Sequence, residues 1–306
     1  MTNKTNDRRS VLMIVSSMLI FGTIGIFRRY IPLSSPFLAF SRGILGGLCL
    51  LFFIRFKGKR IKGKTAGQRI PLRLFLQLSL TGALIGFNWI LLFEAYNYTS
   101  VAVATLCYYM QPTIVVLLSP IIFREKLTLK KAVCAAAAIL GMVLVSGVPG
   151  QTGSGLPGGS TRGVMLGLGA AVIYASVIIM NKKLPGIDAY QKTMIQLFSA
   201  GLVLIPYLAL TNGFIISGSI SPLVILLLLI VGIIHTGIAY LLYFASMDGL
   251  TVQSIALLSY IDPVSALLFS ALLLGERLGI LSMIGAAMII GSAIISEMDP
   301  AEKQDS

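Results

Sequence analysis

Apolar stretches of about 20 residues recur from residue 10 to residue 297, and polar positions cluster between them. An α-helix rises 1.5 Å per residue, so a stretch of this length crosses a hydrocarbon core roughly 30 Å thick. The pattern predicts an all-α polytopic membrane protein with ten transmembrane helices. The predicted segments are 10–28, 36–54, 74–96, 99–122, 129–147, 163–181, 190–211, 222–244, 251–274 and 279–297.

Composition supports a protein that lies in the bilayer. Of the 306 residues, 56% are hydrophobic and only 11% are charged, whereas soluble domains carry about a quarter charged residues. Almost no sequence remains for a soluble domain. The apolar segment from Val11 to Phe27 is too long for a signal-peptide core and lacks a convincing cleavage site, so we expect it to remain as the first membrane helix.

The three cysteines predict no special chemistry. Cys49, Cys107 and Cys134 all fall inside apolar segments, with no CxxC spacing and no histidine cluster nearby in the sequence. Cysteines in this setting are typically small buried hydrophobic residues. We therefore expect no disulfide, no metal site and no cofactor.

The net charge of +13 is spread over short loops rather than over one folded face, which disfavours nucleic-acid binding. If the N-terminus is cytoplasmic, the cytoplasmic segments hold 19 of the 24 lysines and arginines. Four then lie outside, and Arg42 lies within a helix. The positive-inside rule therefore predicts a protein of the cytoplasmic membrane with both termini in the cytoplasm.

The two halves of the chain resemble each other. An offset of 151 residues aligns Tyr109 with Tyr260 and Pro112 with Pro263. Each half has five predicted helices, an odd number, so the second half must be inverted in the membrane. Inverted repeats are typical of transporters, whose substrate site lies near the midplane. The predicted organisation is a tail at 1–9, a first repeat at 10–147, a Gly/Pro/Ser-rich external linker at 148–162, an inverted second repeat at 163–297 and a tail at 298–306.

Two loop motifs carry a family resemblance. The run FREKLT begins at Phe123 and LGERLG begins at Leu274, each about a dozen residues after a mid-helix proline. Both resemble the EamA-type members of the drug/metabolite transporter superfamily. The resemblance extends over roughly residues 10–297 and implies a ten-helix carrier that moves small metabolites, often outward, by alternating access.

Other positions share or break the family pattern. Phe21-Gly22, Ser35-Pro36 followed by Arg42, and His235-Thr236-Gly237 followed by Tyr240 are similar to its first, second and eighth helices. This sequence differs from the family at two positions. Arg124 replaces the usual glycine before the loop glutamate, and Asp262 stands before Pro263 where the family usually has a small or neutral residue.

The residues Pro112 and Pro263 are predicted to break their helices near the membrane centre. Each removes a backbone donor and frees a carbonyl one turn earlier, at Tyr108 and Ser259 respectively, so polar groups are needed nearby. Gln111 and Asp262 supply them at matching positions of the two repeats. The alternative is that both prolines are kinks that only shape packing.

Asp262 is the strongest single signal. An acid at the centre of a membrane helix costs about 2.5 to 3.5 kcal/mol on insertion scales and faces a partner or a wet cavity. It could exchange a proton near neutral pH or bind a cationic group of a substrate; the alternative is a hydrogen-bonded structural acid.

His235, the only histidine, is a candidate proton relay to Asp262, with a packing role as its alternative.

Arg42 is predicted about 10 Å below the outer surface. It could hold a carboxylate or phosphate, extend its charged end toward the membrane surface, or pair with Glu94.

For Glu94 and the pair Arg28/Arg29 we expect a structural or gating ion pair. Glu125 and Glu276 lie in loops and are expected to cap or pair locally with Lys126 and Arg277 rather than to contact substrate.

Aromatic residues near the membrane centre could stack on a flat or cationic ligand, although many such residues only pack. Trp89, the only tryptophan, aligns with Tyr240 in the repeat. The candidate substrate-binding residues are Arg42, Trp89, Tyr108, Gln111, Tyr174, His235, Tyr240, Ser259, Tyr260 and Asp262, with Asp262 and His235 as candidates for proton coupling and Pro112 and Pro263 as helix breaks.

These observations favour a secondary carrier that exports or exchanges a small polar metabolite of the amino-acid type. No GxxxxGK[ST] run is present, so a gradient, with the proton as candidate coupling ion, must supply the energy. The chain also lacks HExxH and GxSxG, which disfavours an enzyme. Export of organic cations and a receptor or scaffold role are the alternatives, and homodimer formation is left open.

Overall fold

A computed structural model describes residues 3–57, 70–99, 101–145, 161–184, 187–214, 221–275 and 279–297. These residues are helices and short turns, which confirms the all-α prediction. Most of the predicted linker and the C-terminal tail lie outside the described residues. The α-helices are α1 Asn3–Arg29, α2 Ser35–Lys57, α3 Leu72–Tyr98, α4 Val101–Tyr108, α5 Gln111–Phe123, α6 Leu129–Val145, α7 Thr161–Lys182, α8 Ala189–Leu210, α9 Pro222–Gly232, α10 Ala239–Ser246, α11 Val252–Ser259, α12 Ile261–Leu274 and α13 Ile280–Glu297.

Eight helical segments among the described residues are long and apolar enough to cross a membrane, and 280–296 forms a shorter apolar helix. The protein is therefore a multi-pass membrane protein. Local signals account for several helix ends. The Asp188 carboxylate accepts hydrogen bonds from the Tyr190 and Gln191 amides before α8, and the Ser221 hydroxyl caps α9, as expected at an N-cap.

Two predicted segments are divided into separate helices. The segment 99–122 becomes α4 and α5, and the segment 251–274 becomes α11 and α12. Pro112 and Pro263 lie in the first turns of α5 and α12, where a proline removes no helical hydrogen bond. The sequence predicted a break inside one helix, whereas the structure begins a new helix at each proline.

The predicted helix 222–244 is not a regular α-helix throughout. Between α9 and α10 the backbone forms a π-helix, Ile233–Ile238, and one 3₁₀ turn, Met247–Gly249, follows α10. A π-turn is wider than an α-turn and frequently occurs at functional sites. It displaces the side chains of His235 and Thr236 from the positions that regular helical spacing predicts.

Close helix contacts depend on small residues. A Cβ atom placed on Gly141 of α6 would lie 2.6 Å from the Gly285 carbonyl oxygen of α13, and one placed on Gly285 would lie 2.5 Å from the Gly141 oxygen. The two backbones therefore touch, as is common where membrane helices cross. Other packed pairs are α2 with α8, α3 with α7 and α8, α1 with α10 and α12, and α5 with α11.

The apolar residues divide into an interior and a periphery. Tyr243, Phe244 and Tyr260 are among the largest fully buried side chains. Many large apolar side chains are instead exposed, for example Phe52, Leu117, Ile121, Leu210 and Leu272. Exposed apolar surface of this extent suits contact with lipid, and helices satisfy their own backbone hydrogen bonds there.

Candidate functional site

A cavity of about 440 Å³ lies among the helices, a volume within the usual range for small-molecule sites. Nine of the helices contribute to it. Its lining residues are Met18, Phe21, Gly22, Ile24, Gly25, Arg28, Ser35, Leu38, Arg42, Trp89, Leu92, Phe93, Tyr96, Thr105, Tyr108, Tyr109, Gln111, Tyr174, Tyr240, Tyr243, Ser259, Asp262 and Ala266.

Arg42 provides the cationic part of the cavity wall. Its Nε donates a hydrogen bond to Thr236 Oγ1 at 3.0 Å, and its Cζ lies 5.6 Å from the centroid of the Trp89 ring. The pairing of Arg42 with Glu94 is not observed. Glu94 accepts hydrogen bonds from Tyr207 Oη at 2.5 Å and from Asn97 Nδ2 at 3.5 Å.

Asp262 provides the acidic part of the wall, in the first turn of α12. Its Oδ2 accepts a hydrogen bond from Tyr109 Oη at 3.1 Å. Gln111 occupies the matching position of the first half and is only 4% exposed. Its Nε2 has no hydrogen-bond partner among the described residues. A buried amide donor without a partner is costly, so a cavity ligand that accepts a hydrogen bond would stabilise it.

Two tyrosines line the cavity together with the two charged residues. Tyr108 and Tyr240 share this lining with Arg42 and Asp262. Neither Arg42 nor Asp262 forms an ion pair with a described residue. The cavity therefore presents a cation and an anion that are separated from each other and open to a ligand.

Aromatic contacts hold these tyrosines in place. The Tyr240 ring lies 5.2 Å from Phe21 and 6.4 Å from Trp89, measured between centroids, and both pairs are edge-on. Tyr108 lies 6.0 Å from Tyr174. Tyr243 Oη lies 3.3 Å from Ser259 Oγ. This part of the cavity wall is thus aromatic, with hydroxyl groups available for hydrogen bonding.

The structure places two predicted site residues outside the cavity lining. His235 Nε2 lies 2.7 Å from Thr23 Oγ1, and the imidazole packs edge-on against Phe27 on an apolar groove between α1, α9 and α12. Tyr260 Oη is buried against Thr113 Oγ1 at 2.7 Å. The other eight candidates line the cavity. His235 lies in the π-helix and contacts Thr23 of α1, which fits the packing alternative better than the relay to Asp262.

Several lining residues were not among the predicted site residues. On α1 they include Met18, Phe21, Gly22, Gly25 and Arg28, which follow helical spacing along one face. This stripe of two glycines and an arginine among apolar residues is visible in the sequence, so these lining residues could have been predicted from it. Arg28 does not pair with Glu94 either; its Nη1 donates to the Ile31 carbonyl at 2.6 Å and its Nη2 to Ser35 Oγ at 3.4 Å.

Glu125 has a longer-range role than the predicted local pairing with Lys126. Its Oε1 and Oε2 accept hydrogen bonds from the backbone amides of Val252 at 2.8 Å and Gln253 at 3.3 Å. The carboxylate therefore caps the N-terminus of α11, which favours negative charge. Gln253 Nε2 also donates to Ser119 Oγ at 2.8 Å. Glu276 and Arg277 lie outside the described residues.

The cavity lies toward one end of the bundle. Arg28 and Ser35 flank the α1–α2 turn, and Tyr96 and Thr105 flank the α3–α4 turn. At the opposite end, the Glu125 cap joins the α5–α6 turn to α11, and Lys182 Nζ donates to the carbonyls of Met247 and Leu250 at 2.5 and 2.6 Å. Among the described residues, those turns contribute nothing to the cavity lining.

Apolar helices around a cavity with separated charges define a polytopic membrane protein of the transporter class. The chain belongs to the EamA-like transporter family, whose model matches residues 8–147 and 161–298. The resemblance found in the loop motifs is thereby confirmed. Members of this family are transporters rather than enzymes.

Individual proteins agree with this assignment. An uncharacterized transporter of Bacillus subtilis strain 168, YxxF, is 30% identical over 94% of this chain and 89% of its own length. A "probable amino-acid metabolite efflux pump" of Escherichia coli K12 is 29% identical over 76% of this chain and 78% of its own length. A solved crystal structure covers 94% of this chain and 98% of its own with a TM-score of 0.80 at 21% identity, which supports the fold alone.

Proposed function

We propose that this protein is a secondary active transporter that moves a small zwitterionic metabolite of the amino-acid type across the cytoplasmic membrane, as an exporter or exchanger. The observation that carries the proposal is a cavity lined by Arg42, Asp262, Tyr108 and Tyr240, in which neither charged residue forms an ion pair with a described residue. The E. coli relative described as an amino-acid metabolite efflux pump supports the same substrate class.

Each cavity residue has a proposed role. Arg42 binds the substrate carboxylate, Asp262 binds its ammonium group or a coupling proton, and Gln111 Nε2 donates a hydrogen bond. Trp89 and the tyrosines pack against the rest of the ligand. Unpaired charges in a membrane interior are unfavourable, and a ligand with two opposite charges compensates both. His235 and Tyr260 have no part in this proposal, because they lie outside the cavity lining.

The proposed architecture is ten transmembrane helices in two inverted five-helix repeats, 10–147 and 163–297. The helix pairs support it. Under the 151-residue offset, the pair α3–α7 corresponds to α10–α1, and the pair α5–α7 corresponds to α12–α1; all four are packed. The pairs α2–α8 and α6–α13 correspond to themselves and are also packed, as a two-fold relation requires.

The proposed orientation has both termini in the cytoplasm, which rests on the positive-inside count. The cavity then faces outward, and Glu125 and Lys182 close the cytoplasmic end. Single cysteines replacing Lys57 and Gly155 in a cysteine-free chain should react oppositely with an impermeant maleimide in intact cells. Labelling at position 57 from outside would reverse the orientation.

Export of organic cations is the second candidate, because Asp262 and the aromatic wall suit a cation. Arg42 and Arg28 in the same lining disfavour it, since both repel a cation. The two candidates differ in their dependence on Arg42. Replacing it by glutamine should abolish amino-acid transport but should leave organic-cation transport unchanged or faster.

The test is counterflow in vesicles reconstituted with the purified protein. Labelled amino acids, amino-acid amides and tetraalkylammonium ions are compared for the wild type, Arg42→Gln and Asp262→Asn. We expect uptake of at least one amino acid and at least a tenfold loss in either variant, because a buried charge left without its partner costs several kcal/mol. Thr23→Val, outside the cavity, is the matched control. Uptake confined to tetraalkylammonium ions would contradict the proposal.

A further inference from the structure

Thr236 lies in the π-helix and bonds Arg42 in an orientation that its own hydrogen bonds determine. Its Oγ1 donates to the Val231 carbonyl at 3.0 Å, five residues earlier, a partner that the wider π-turn brings within reach. A hydroxyl has a single proton to donate. Because that proton is used on Val231, the oxygen must accept the hydrogen bond from Arg42 Nε at 3.0 Å.

This bond restricts the guanidinium plane. Nε belongs to the same planar group as the two Nη atoms, so holding Nε sets the direction of the whole fork. The Nη atoms of Arg42 form no hydrogen bond with a described residue, and Arg42 lines the cavity. The Trp89 ring flanks the group with its centroid 5.6 Å from Cζ. Two parallel donors therefore remain for a planar anion.

The backbone behind the bond is closely packed. A Cβ atom on Gly232 would lie 2.5 Å from Leu45 Cβ, and one on Gly46 would lie 3.0 Å from the Gly237 amide nitrogen. Thr236 itself is fully buried. Helix α2 and the π-helix are thus held at a set separation, and the position of Thr236 relative to Arg42 follows from it.

The described part of the first half has no counterpart to this arrangement. The 151-residue offset places Thr236 opposite Ile85, which has no hydroxyl group and lies within the α-helix α3. The cavity therefore has this anchored cation on one side only. A substrate that binds there has to present its anionic group in one direction.

We propose that Thr236 is a positioning residue that holds Arg42 for two-pronged binding of a carboxylate and so sets the preference for substrates that carry one. The proposal rests on the proposed function in one respect, namely that Arg42 faces the substrate. Thr236 acts through Arg42 and does not line the cavity. Removing its hydroxyl should weaken carboxylate binding selectively.

The first test needs no ligand, because Trp89 is the only tryptophan and its emission responds to a nearby charge. Arg42→Gln defines the emission maximum without the cation. Thr236→Val should shift the maximum in the same direction, whereas Thr236→Ser, which keeps the hydroxyl, should retain the wild-type value. Thr23→Val is the control, because Thr23 bonds His235 on the other side of the π-helix.

Either of two results would overturn the proposal. A wild-type spectrum for Thr236→Val beside a shifted one for Arg42→Gln would mean that the hydroxyl does not hold the guanidinium. An unchanged spectrum for Arg42→Gln would mean that the cation does not lie beside the indole. Thermal unfolding of each variant, compared with Thr236→Ser, identifies a shift that comes from misfolding.

The second test measures selectivity. The twenty amino acids and their α-amides are titrated against wild-type protein and Thr236→Val. For the amino acid that binds, Kd should rise about tenfold, the effect of one hydrogen bond to a charged group, while Kd for its amide changes less than twofold. Equal losses for both would overturn the proposal. If no amino acid binds the wild type, the proposed function fails, and the emission test still decides the role of Thr236.

Discussion

At the scale of single residues, the charged side chains in the membrane interior are the most informative. Among the described residues, the Arg42 guanidinium and the Asp262 carboxylate each have one hydrogen-bond partner and no ion pair. Uncompensated charge in the membrane is costly. Binding of a ligand or a proton at these two residues therefore lowers the free energy of the protein more than binding at an uncharged position would.

The first residue-scale prediction concerns Asp262→Asn. Asparagine keeps the size of the side chain and can accept the Tyr109 hydrogen bond, but it cannot exchange a proton or carry charge. Counterflow should fall at least tenfold, since a positioned group that transfers a proton typically contributes factors of about 10² or more. The remaining rate should vary less with pH between 5 and 9 than the wild-type rate does. Thr23→Val, outside the cavity lining, is the control. Wild-type flux with the wild-type pH profile would make Asp262 a structural acid.

The second residue-scale prediction concerns backbone conformation at the ends of α5 and α12. Gly275 has a φ of 69°, and its repeat counterpart Arg124 has a φ of 57°. A Cβ on Gly275 would meet nothing within 4 Å, so the left-handed conformation alone penalises Gly275→Ala, by about 1 kcal/mol of unfolding free energy. Gly291→Ala, in open space inside α13, should be neutral or stabilising. Unfolding in detergent measures both, and equal effects would contradict the argument.

At the scale of elements, helix contacts follow from where small residues occur. Gly141 and Gly285 bring α6 and α13 into backbone contact. In a membrane, such contacts stabilise by close packing and not by the exclusion of water. The same glycine-dependent approach occurs between α3 and α8, where a Cβ on Gly82 would clash with the Gln196 carbonyl oxygen.

The element-scale prediction is that Gly285→Ala separates α6 from α13. The added methyl would lie 2.5 Å from the Gly141 carbonyl oxygen, and backbone cannot rotate away as a flexible side chain can. We expect a loss of about 1 to 3 kcal/mol, the usual cost of overpacking. Gly291→Ala on the same helix is the matched control. Equal unfolding midpoints for the two variants would show that the helices separate without cost.

At the scale of the whole molecule, the arrangement of cavity and contacts indicates one closed end. Glu125 belongs to the first half of the chain and caps α11 in the second half, so the bond joins the halves that alternating access would move apart. The Lys182 bonds to the carbonyls of Met247 and Leu250 reinforce the same end. Opening the cavity there requires at least the Glu125 bonds to break.

The molecular-scale prediction uses a cysteine replacing Ser254 in a cysteine-free chain. Ser254 is buried near the cap, so labelling by a hydrophilic maleimide should be slow. Glu125→Gln weakens the cap and should raise the labelling rate about threefold or more, since losing a charged hydrogen bond shifts an opening equilibrium by that order. Lys126→Gln, its exposed neighbour, should leave the rate unchanged. An unchanged rate in Glu125→Gln would mean that the cap does not control opening.

The helices could be predicted closely because each depends on local sequence. The predicted segments 74–96 and 190–211 correspond to α3, Leu72–Tyr98, and α8, Ala189–Leu210. Apolar length and the polar residues at the ends determine such boundaries, since the bilayer requires both. The placement of Arg42, Trp89, Gln111 and Asp262 at the cavity was likewise predictable, because a polar or amphipathic side chain in the membrane centre needs a wet or polar neighbour.

The tertiary structure alone decided which residues meet across the bundle. His235 was a candidate proton relay to Asp262, with packing as the alternative; it lies in the π-helix with its Nε2 2.7 Å from Thr23 Oγ1, and no local pattern predicted that irregular turn. Glu125 was expected to act within its own loop, yet it bonds α11, more than 120 residues away. The sequence by itself thus determined the membrane class, the helices and the polar residues that need partners, because those follow from transfer free energies of short segments. The partners themselves, and the closed end of the cavity, depend on distances between helices that only the packed fold sets.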